Sequence, residues 1–337
     1  MNLPTPSPRR RQFLGAACAL GAGLFGRGAC GAGEPAPEST RLRLVHSSAI
    51  CLAPQYVAEA LLRLEGFTDI TYVEVTGGNV IDAIHAGQAD MTMDAAPAVV
   101  YALAQQKSLV TLAGIHAGCY ELFGNERVNS VRDLKGRTVS VYTLGGADHV
   151  LLSSMAGYVG LDPRKDIQWI TGDRTLDALQ MFVEGRSDAF MGFPPAPQEL
   201  RKRKVGHVIV NTAQDRPWSQ YFCCMLVANR QFAARSPNAS KRALRAHLKA
   251  ADLCAQEPDR VARFLVDKGY EARYDVALEV LRSLPFRRWR DAAPEDTLRF
   301  HALRLHEVGM IGTNPNRLVA QGSDWRFLNE LKLELKA

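Results

Sequence analysis

Chemistry in this chain is concentrated where short apolar runs give way to polar turns: His46-Ser47-Ser48, Gly77-Gly78-Asn79, Met93-Asp94-Ala95-Ala96-Pro97 and Thr143-Leu144-Gly145-Gly146. The first offers hydroxyl donors and an imidazole, with Cys51 and Leu52 close behind. In the second, Gly78 lets the backbone approach a ligand and Asn79 can cap a following helix. In the third, the Asp94 carboxylate can meet a ligand or cap the helix that begins near Pro97. The fourth presents the Thr143 hydroxyl and the backbone N–H groups of Gly145 and Gly146 at the start of a helix containing His149. Phe193 and Trp218 add aromatic surface, which small-molecule clefts use as walls around a few polar anchors. The candidate ligand-binding set is therefore His46, Ser47, Ser48, Gly78, Asn79, Asp94, Thr143, Gly145, Gly146, Phe193 and Trp218. Each also has a plain structural reading, as loop histidine, turn, cap or hinge wedge.

No catalytic group is assigned. A Gly-x-Ser-x-Gly elbow, a P-loop and a His-Glu-x-x-His pair are all missing, and the one Gly-x-Gly-x-x-Gly match, Gly21 to Gly26, has no strand before it. No metal and no cofactor are expected. After the N-terminal segment, Cys51, Cys119, Cys223, Cys224 and Cys254 form an odd set without Cys-x-x-Cys spacing, read as buried small hydrophobes.

The elements that must position these residues follow from periodicity. Leu42, Leu44 and Val45 read as a first strand, and Val57, Ala60, Leu61 and Leu64 as the apolar stripe of a helix opened by Pro54. Strands at 70–75 and 89–93, a helix at 80–86 and another at Pro97 extend the alternation. A strand at 109–115 precedes a crossover near 120–128. The same order restarts with a strand at 138–142, a helix bearing Leu151, Leu152 and Met155, strands at 167–170, 189–192 and 207–211, and a helix at 174–184. An apolar run at 221–228 returns the chain, and helices follow around 243–254, 261–266, 298–308 and 325–335. This alternation is the mark of an α/β protein with mostly parallel sheets.

The chain has 337 residues, 47% hydrophobic and 23% charged, which suits two globular lobes. Arg9, Arg10 and Arg11 precede Phe13, Leu14 and a small apolar run to Phe25, the pattern of an export signal over 1–32, of twin-arginine type. That run is too short to span a bilayer. Cys30 is a minor candidate for lipidation, because Arg27 stands where an aliphatic residue is wanted. Losing Arg9, Arg10, Arg11 and Arg27 takes the formal charge from +6 to about +2, so the basic balance is no argument for nucleic acid. The basic runs 201–204 and 287–290 read as solvated faces.

In order along the chain, Leu44-Val45-His46-Ser47-Ser48, Gly87-Gln88-Ala89-Asp90-Met91, Asp133-Leu134-Lys135-Gly136-Arg137-Thr138-Val139 and Glu184-Gly185-Arg186-Ser187-Asp188-Ala189 resemble type II periplasmic solute-binding proteins of ABC importers, in the nitrate, sulfonate, taurine and thiamine-precursor group (NMT1/THI5-like, SsuA-like). The resemblance spans about residues 41–337 and implies two lobes, each a mostly parallel sheet flanked by helices, joined by a two-crossover hinge. Lobe 1 is expected from 41–122 with 224–337, and lobe 2 from 123–223. It implies a monomeric periplasmic receptor that closes on a small polar or anionic molecule (a sulfonate, nitrate, taurine or a pyrimidine-like compound) and delivers it to a permease and ATPase. The alternative within the same fold is an enzyme that makes the thiamine pyrimidine precursor.

Overall fold

The first sheet lies, in spatial order, as β2 (Asp69–Val73), β1 (Arg41–Val45), β3 (Met91–Ala95), β10 (Phe222–Asn229) and β4 (Leu109–Ala117). The second is β7 (Ile167–Thr171), β6 (Arg137–Val141), β8 (Ala189–Gly192), β5 (Glu121–Gly124) and β9 (His207–Asn211). In each, one crossover strand runs against its neighbours: β10 is antiparallel to β3 and β4, and β5 to β8 and β9, whereas β1 pairs in parallel with β2 and β3 and β6 with β7 and β8. The result is two mixed-sheet domains, with the parallel strands of each set around a single reversed one. This computed structural model describes residues 34–47, 49–75, 79–172 and 177–336. The expected export signal at 1–32, with Cys30, lies outside the described residues, as does the start of the helix expected from 174.

Helices cover the sheets: α1 (Ala53–Leu64), α2 (Val80–His85) and α3 (Ala96–Ala104) on the first, and α4 (Ala147–Tyr158), α5 (Ala178–Val183) and α6 (Ala196–Arg203) in the second half. The C-terminal segment is helical: α7 (Arg230–Arg235), α8 (Pro237–Gln256), α9 (Pro258–Asp267), α10 (Tyr274–Ser283), α11 (Pro294–Glu307), α12 (Pro315–Gly322) and α13 (Arg326–Glu334). Among the described residues no helix is long and apolar enough to cross a membrane.

The motifs that carry the family resemblance are structural ties. Asp90 accepts from the backbone N–H of Arg43 at 2.8 Å and pairs with its guanidinium at 2.6 Å, fastening β3 to β1. Asp188 does the same for the second sheet, accepting from the Thr138 N–H at 3.1 Å and from Asn125 at 2.9 Å, with Arg127 alongside. Both follow a glycine that ends a helix in the left-handed region, Gly87 at φ +69° and Gly185 at φ +73°, where a side chain would be strained. One device, used twice, sets the two halves.

The face that α1 buries is only partly the expected stripe, of which Val57 and Leu61 pack against the core. Leu64 is 84% exposed and Ala60 is also outside, whereas Gln55, Tyr56, Ala58 and Leu62 are buried. Two polar residues go inward because strand ends hold their hydrogen-bonding groups. Gln55 donates to the Val45 carbonyl at 2.7 Å and accepts from the Met93 N–H at 3.1 Å, tying β1 to β3. Tyr56 accepts from the Ser47 N–H at 2.8 Å and donates to the Ser47 carbonyl.

The chain passes between the sheets twice, and the two passages touch. By Glu121 it is already paired in the second sheet, so the first passage is the segment 118–120. Thr212 Oγ1 accepts from the N–H groups of Cys119 at 3.1 Å and Tyr120 at 3.0 Å, and donates to the Tyr120 carbonyl at 2.9 Å. Gly118 has φ +60°, and a Cβ there would sit 2.3 Å from Ala213 Cα. Gly118→Ala is therefore expected to cost about 3 kcal/mol or more through backbone strain and collision together, read as a lower urea midpoint with unchanged slope.

Candidate functional site

The parallel strands of both sheets end toward one cleft of about 200 Å³. Carboxyl ends of strands, with the helix starts that follow them, are where open α/β sheets bind ligands. Ser47 follows β1, Asn79 precedes α2, Asp94 and Ala95 close β3, and Cys119 and Tyr120 follow β4. From the other sheet come Tyr142 and Thr143 after β6, Gly146, Ala147 and Asp148 at the start of α4, and Phe193 after β8. A larger depression of about 1100 Å³ lies by Ser108 and Val110, at the opposite end of β4, with no comparable convergence of strand ends.

Of the expected contacts, Ser47, Asn79, Asp94, Thr143, Gly146 and Phe193 line this cleft together. His46 does not: its Nδ1 lies 2.9 Å from the Glu74 carboxylate and its ring packs beside Tyr56 and Tyr270. Gly145 is turned to the far side of its loop, where its N–H donates to His149 Nδ1 at 3.1 Å. Trp218 is buried against Tyr158 and Phe300 and serves packing. Ser48 and Gly78 lie outside the described residues. Trp218→Ala is expected to cost about 3–5 kcal/mol of stability as a core truncation, while affinity for any cleft ligand stays within about twofold, as isothermal titration calorimetry on the folded fraction would show.

Residues missing from the expected set supply most of the site's character. Asp148 is 3% exposed; it accepts from the Tyr142 N–H at 2.5 Å, and burial pushes its carboxyl up to about 6 against the pull of that backbone bond. Asp94 accepts from the Ala95 N–H at 2.7 Å, and burial pushes it up to about 7. Tyr120 interacts electrostatically with both acids. Phe193 is set edge-on to Tyr120, ring centres 5.6 Å apart, and tilted against Tyr142 at 5.3 Å, which makes an aromatic wall. Among the described residues lining the cleft there is no lysine, arginine or histidine. Asp148 was legible in principle: it follows a strand end and stands in the first turn of the next helix, whereas Asp94 closes its strand just before the helix. Tyr120 had no such signal, because it sits on a crossover.

Cys51, Cys119 and Cys224 also line the cleft, and all five described cysteines are buried. Burial agrees with their reading as small hydrophobes. Their convergence, from positions far apart in sequence, is not visible in spacing.

Residues 64–261 match the family described as NMT1/THI5 like. The chain belongs to that family. No curated protein sequence matches it. Solved structures share the fold of this NMT1/THI5-like chain. The alkanesulfonate-binding protein SsuA from Xanthomonas axonopodis pv. citri, bound to MOPS, is 18% identical with TM-score 0.70, covering 87% of this chain and all of that one. The periplasmic nitrate-binding protein NrtA from Synechocystis PCC 6803 is 16% identical with TM-score 0.70, covering 89% and 90%. The desulfurization enzyme DSZB is 13% identical with TM-score 0.58, covering 88% and 99%. The fold is that of periplasmic binding proteins, and the relatives with it are mainly binding proteins with an enzyme among them.

Proposed function

We propose that this chain is an exported, non-catalytic solute-binding component of an ABC importer. It takes a small, flat, neutral or cationic molecule rich in hydrogen-bond donors, and closes its two domains on it. The reading rests above all on one observation: acids from opposite domains, Asp94 and Asp148, meet the aromatic wall of Tyr120, Tyr142 and Phe193 in one cleft without a cationic side chain among its described lining.

That chemistry narrows the solutes first expected. A sulfonate or nitrate needs donors, and the starts of α3 and α4, which could supply them, already carry this chain's own carboxylates. Asp94 uses the Ala95 N–H at the start of α3, and Asp148 stands in the first turn of α4. An aminopyrimidine-like ring matches better, since its face can stack on the wall while its N–H groups reach the acids. On this reading the domains are lobes hinged at 118–120 and near 212–222, the N-terminal segment is a twin-arginine-type export signal, and the partners are a permease and an ATPase.

The test is a thermal-shift screen of the mature protein with aminopyrimidines, other amines, carboxylates, sulfonates and nitrate, since a ligand of the folded state raises its melting temperature. Aminopyrimidines or amines should raise it and the anions should not. Stabilisation by sulfonate or nitrate alone would overturn the solute class, and turnover of the stabilising compound would overturn the receptor in favour of the enzyme.

A further inference from the structure

Four of the five described cysteines gather at the inner end of the cleft, from the loop after β1, the first crossover and the start of β10. The ligand atoms of Cys51, Cys119 and Cys224 lie within 4.8 Å of one another, all buried. Cys223 Sγ stands 2.7 Å from Cys119 Sγ. Thiolates around a tetrahedral zinc at about 2.3 Å are themselves about 3.8 Å apart, so the three sulfurs need only small rotamer adjustments to share one ion.

A second, independent observation comes from β4. His116 is fully buried, and its Nδ1 faces two carbonyl oxygens, Gly118 at 3.1 Å and Ala117 at 3.3 Å. Two acceptors require Nδ1 to carry the proton, which leaves Nε2 with its lone pair. That Nε2 has no hydrogen-bond partner, although the ring interacts with the Cys51 and Cys224 thiols. An unpaired buried polar atom costs about 1–3 kcal/mol. An imidazole held by an Nδ1–H to carbonyl bond, with Nε2 open, is also the arrangement second-shell partners impose on metal-ligating histidines. Cys254 makes the contrast: it is buried in α8, and burial alone raises its thiol.

We propose that Cys51, Cys119 and Cys224, with Nε2 of His116, bind one soft d10 metal ion, zinc(II) or copper(I), at the inner end of the cleft. Thiolate ligands select these ions over harder cations. Binding forms three metal–sulfur bonds and one metal–nitrogen bond, and the three thiol protons pass to solvent with no change of oxidation state. The site adjoins the solute pocket but stands without the solute reading: metal uptake and organic-solute binding are measured separately, and either can fail alone.

The experiment uses the mature protein, reduced and handled without oxygen, titrated with cobalt(II) as a visible reporter and then with zinc(II) or copper(I) to displace it. One equivalent of cobalt should give thiolate-to-metal charge transfer and tetrahedral d–d bands, and the more tightly held of the two ions should remove them at the lower concentration. Cys51→Ser and Cys224→Ser should abolish the charge transfer, His116→Gln should weaken affinity about 10–100-fold, and Cys254→Ala should change nothing. Wild-type protein without charge transfer would overturn the proposal whatever the variants do. So would charge transfer that survives Cys51→Ser.

Discussion

Asp148→Asn is expected to weaken binding of a cationic cleft ligand about 10–100-fold at pH 8 and hardly at all at pH 5. The size follows from losing a hydrogen bond to a charged acceptor, worth about 1.5–3 kcal/mol. The pH dependence follows from a carboxyl held near 6 by burial: ionised at pH 8, it is already neutral in the wild type at pH 5. Asparagine keeps an oxygen for the Tyr142 N–H, so the turn into α4 is preserved while the charge is lost. The groups around Asp148 are Tyr142, Tyr120 and His149. Burial holds both tyrosines above their ordinary range and holds His149 down at about 4, so none of them changes charge between pH 5 and 8. Calorimetric titrations of wild type and variant at the two pH values check this, and an equal loss at both would show that the carboxylate charge does not bind the ligand.

His301→Leu is expected to gain stability relative to wild type as the pH falls, by about 2 kcal/mol at pH 5. His301 is 3% exposed, its Nδ1 has no partner, and burial pushes it down to about 3. His247 is also fully buried and pushed down to about 4, with its Nδ1 against the Ala243 carbonyl. A histidine lowered in the folded state contributes stability that is fully present above its unfolded value near 6.5 and is lost as the pH falls toward the folded value. Removing His301 removes that loss. The raised acids Asp94 and Asp148 work in the opposite sense, since their stabilising neutral form is lost as the pH rises through about 6 to 7. The wild-type profile is therefore a balance, and the difference between wild type and His301→Leu in urea melts from pH 7.5 to 5 isolates one arm. A difference that does not change with pH would show that His301 is no acid-sensitive site.

The β–α alternation, the two sheets and the placement of most strands were legible, because each strand is a short apolar run and each turn carries glycine or a capping residue. Less visible was whatever tertiary contacts decide. Half of the α1 stripe, Val57 and Leu61, packs against the core, but the buried face is turned from the expected one because Gln55 and Tyr56 are drawn inward by the ends of β1 and β3, a force with no periodic signature. The region after residue 228 is helical as expected, but α7, α10 and α12 within it, and α6 before it, are short helices whose bounds the sequence does not mark. Strand-end logic brings Asp94, Thr143 and Gly146 to the lining of one cleft. It does not foresee that His46 faces Glu74 on another loop and away from the cleft lining, nor that topology alone brings Tyr120 and the cysteines to it.

The single hydroxyl of Thr212 that ties the two passages has a mechanical consequence. Segments clamped side by side by three hydrogen bonds cannot swing as independent linkers, so movement of one domain against the other reduces to rotation about their common line. A single angle then describes how any such movement opens or narrows the cleft.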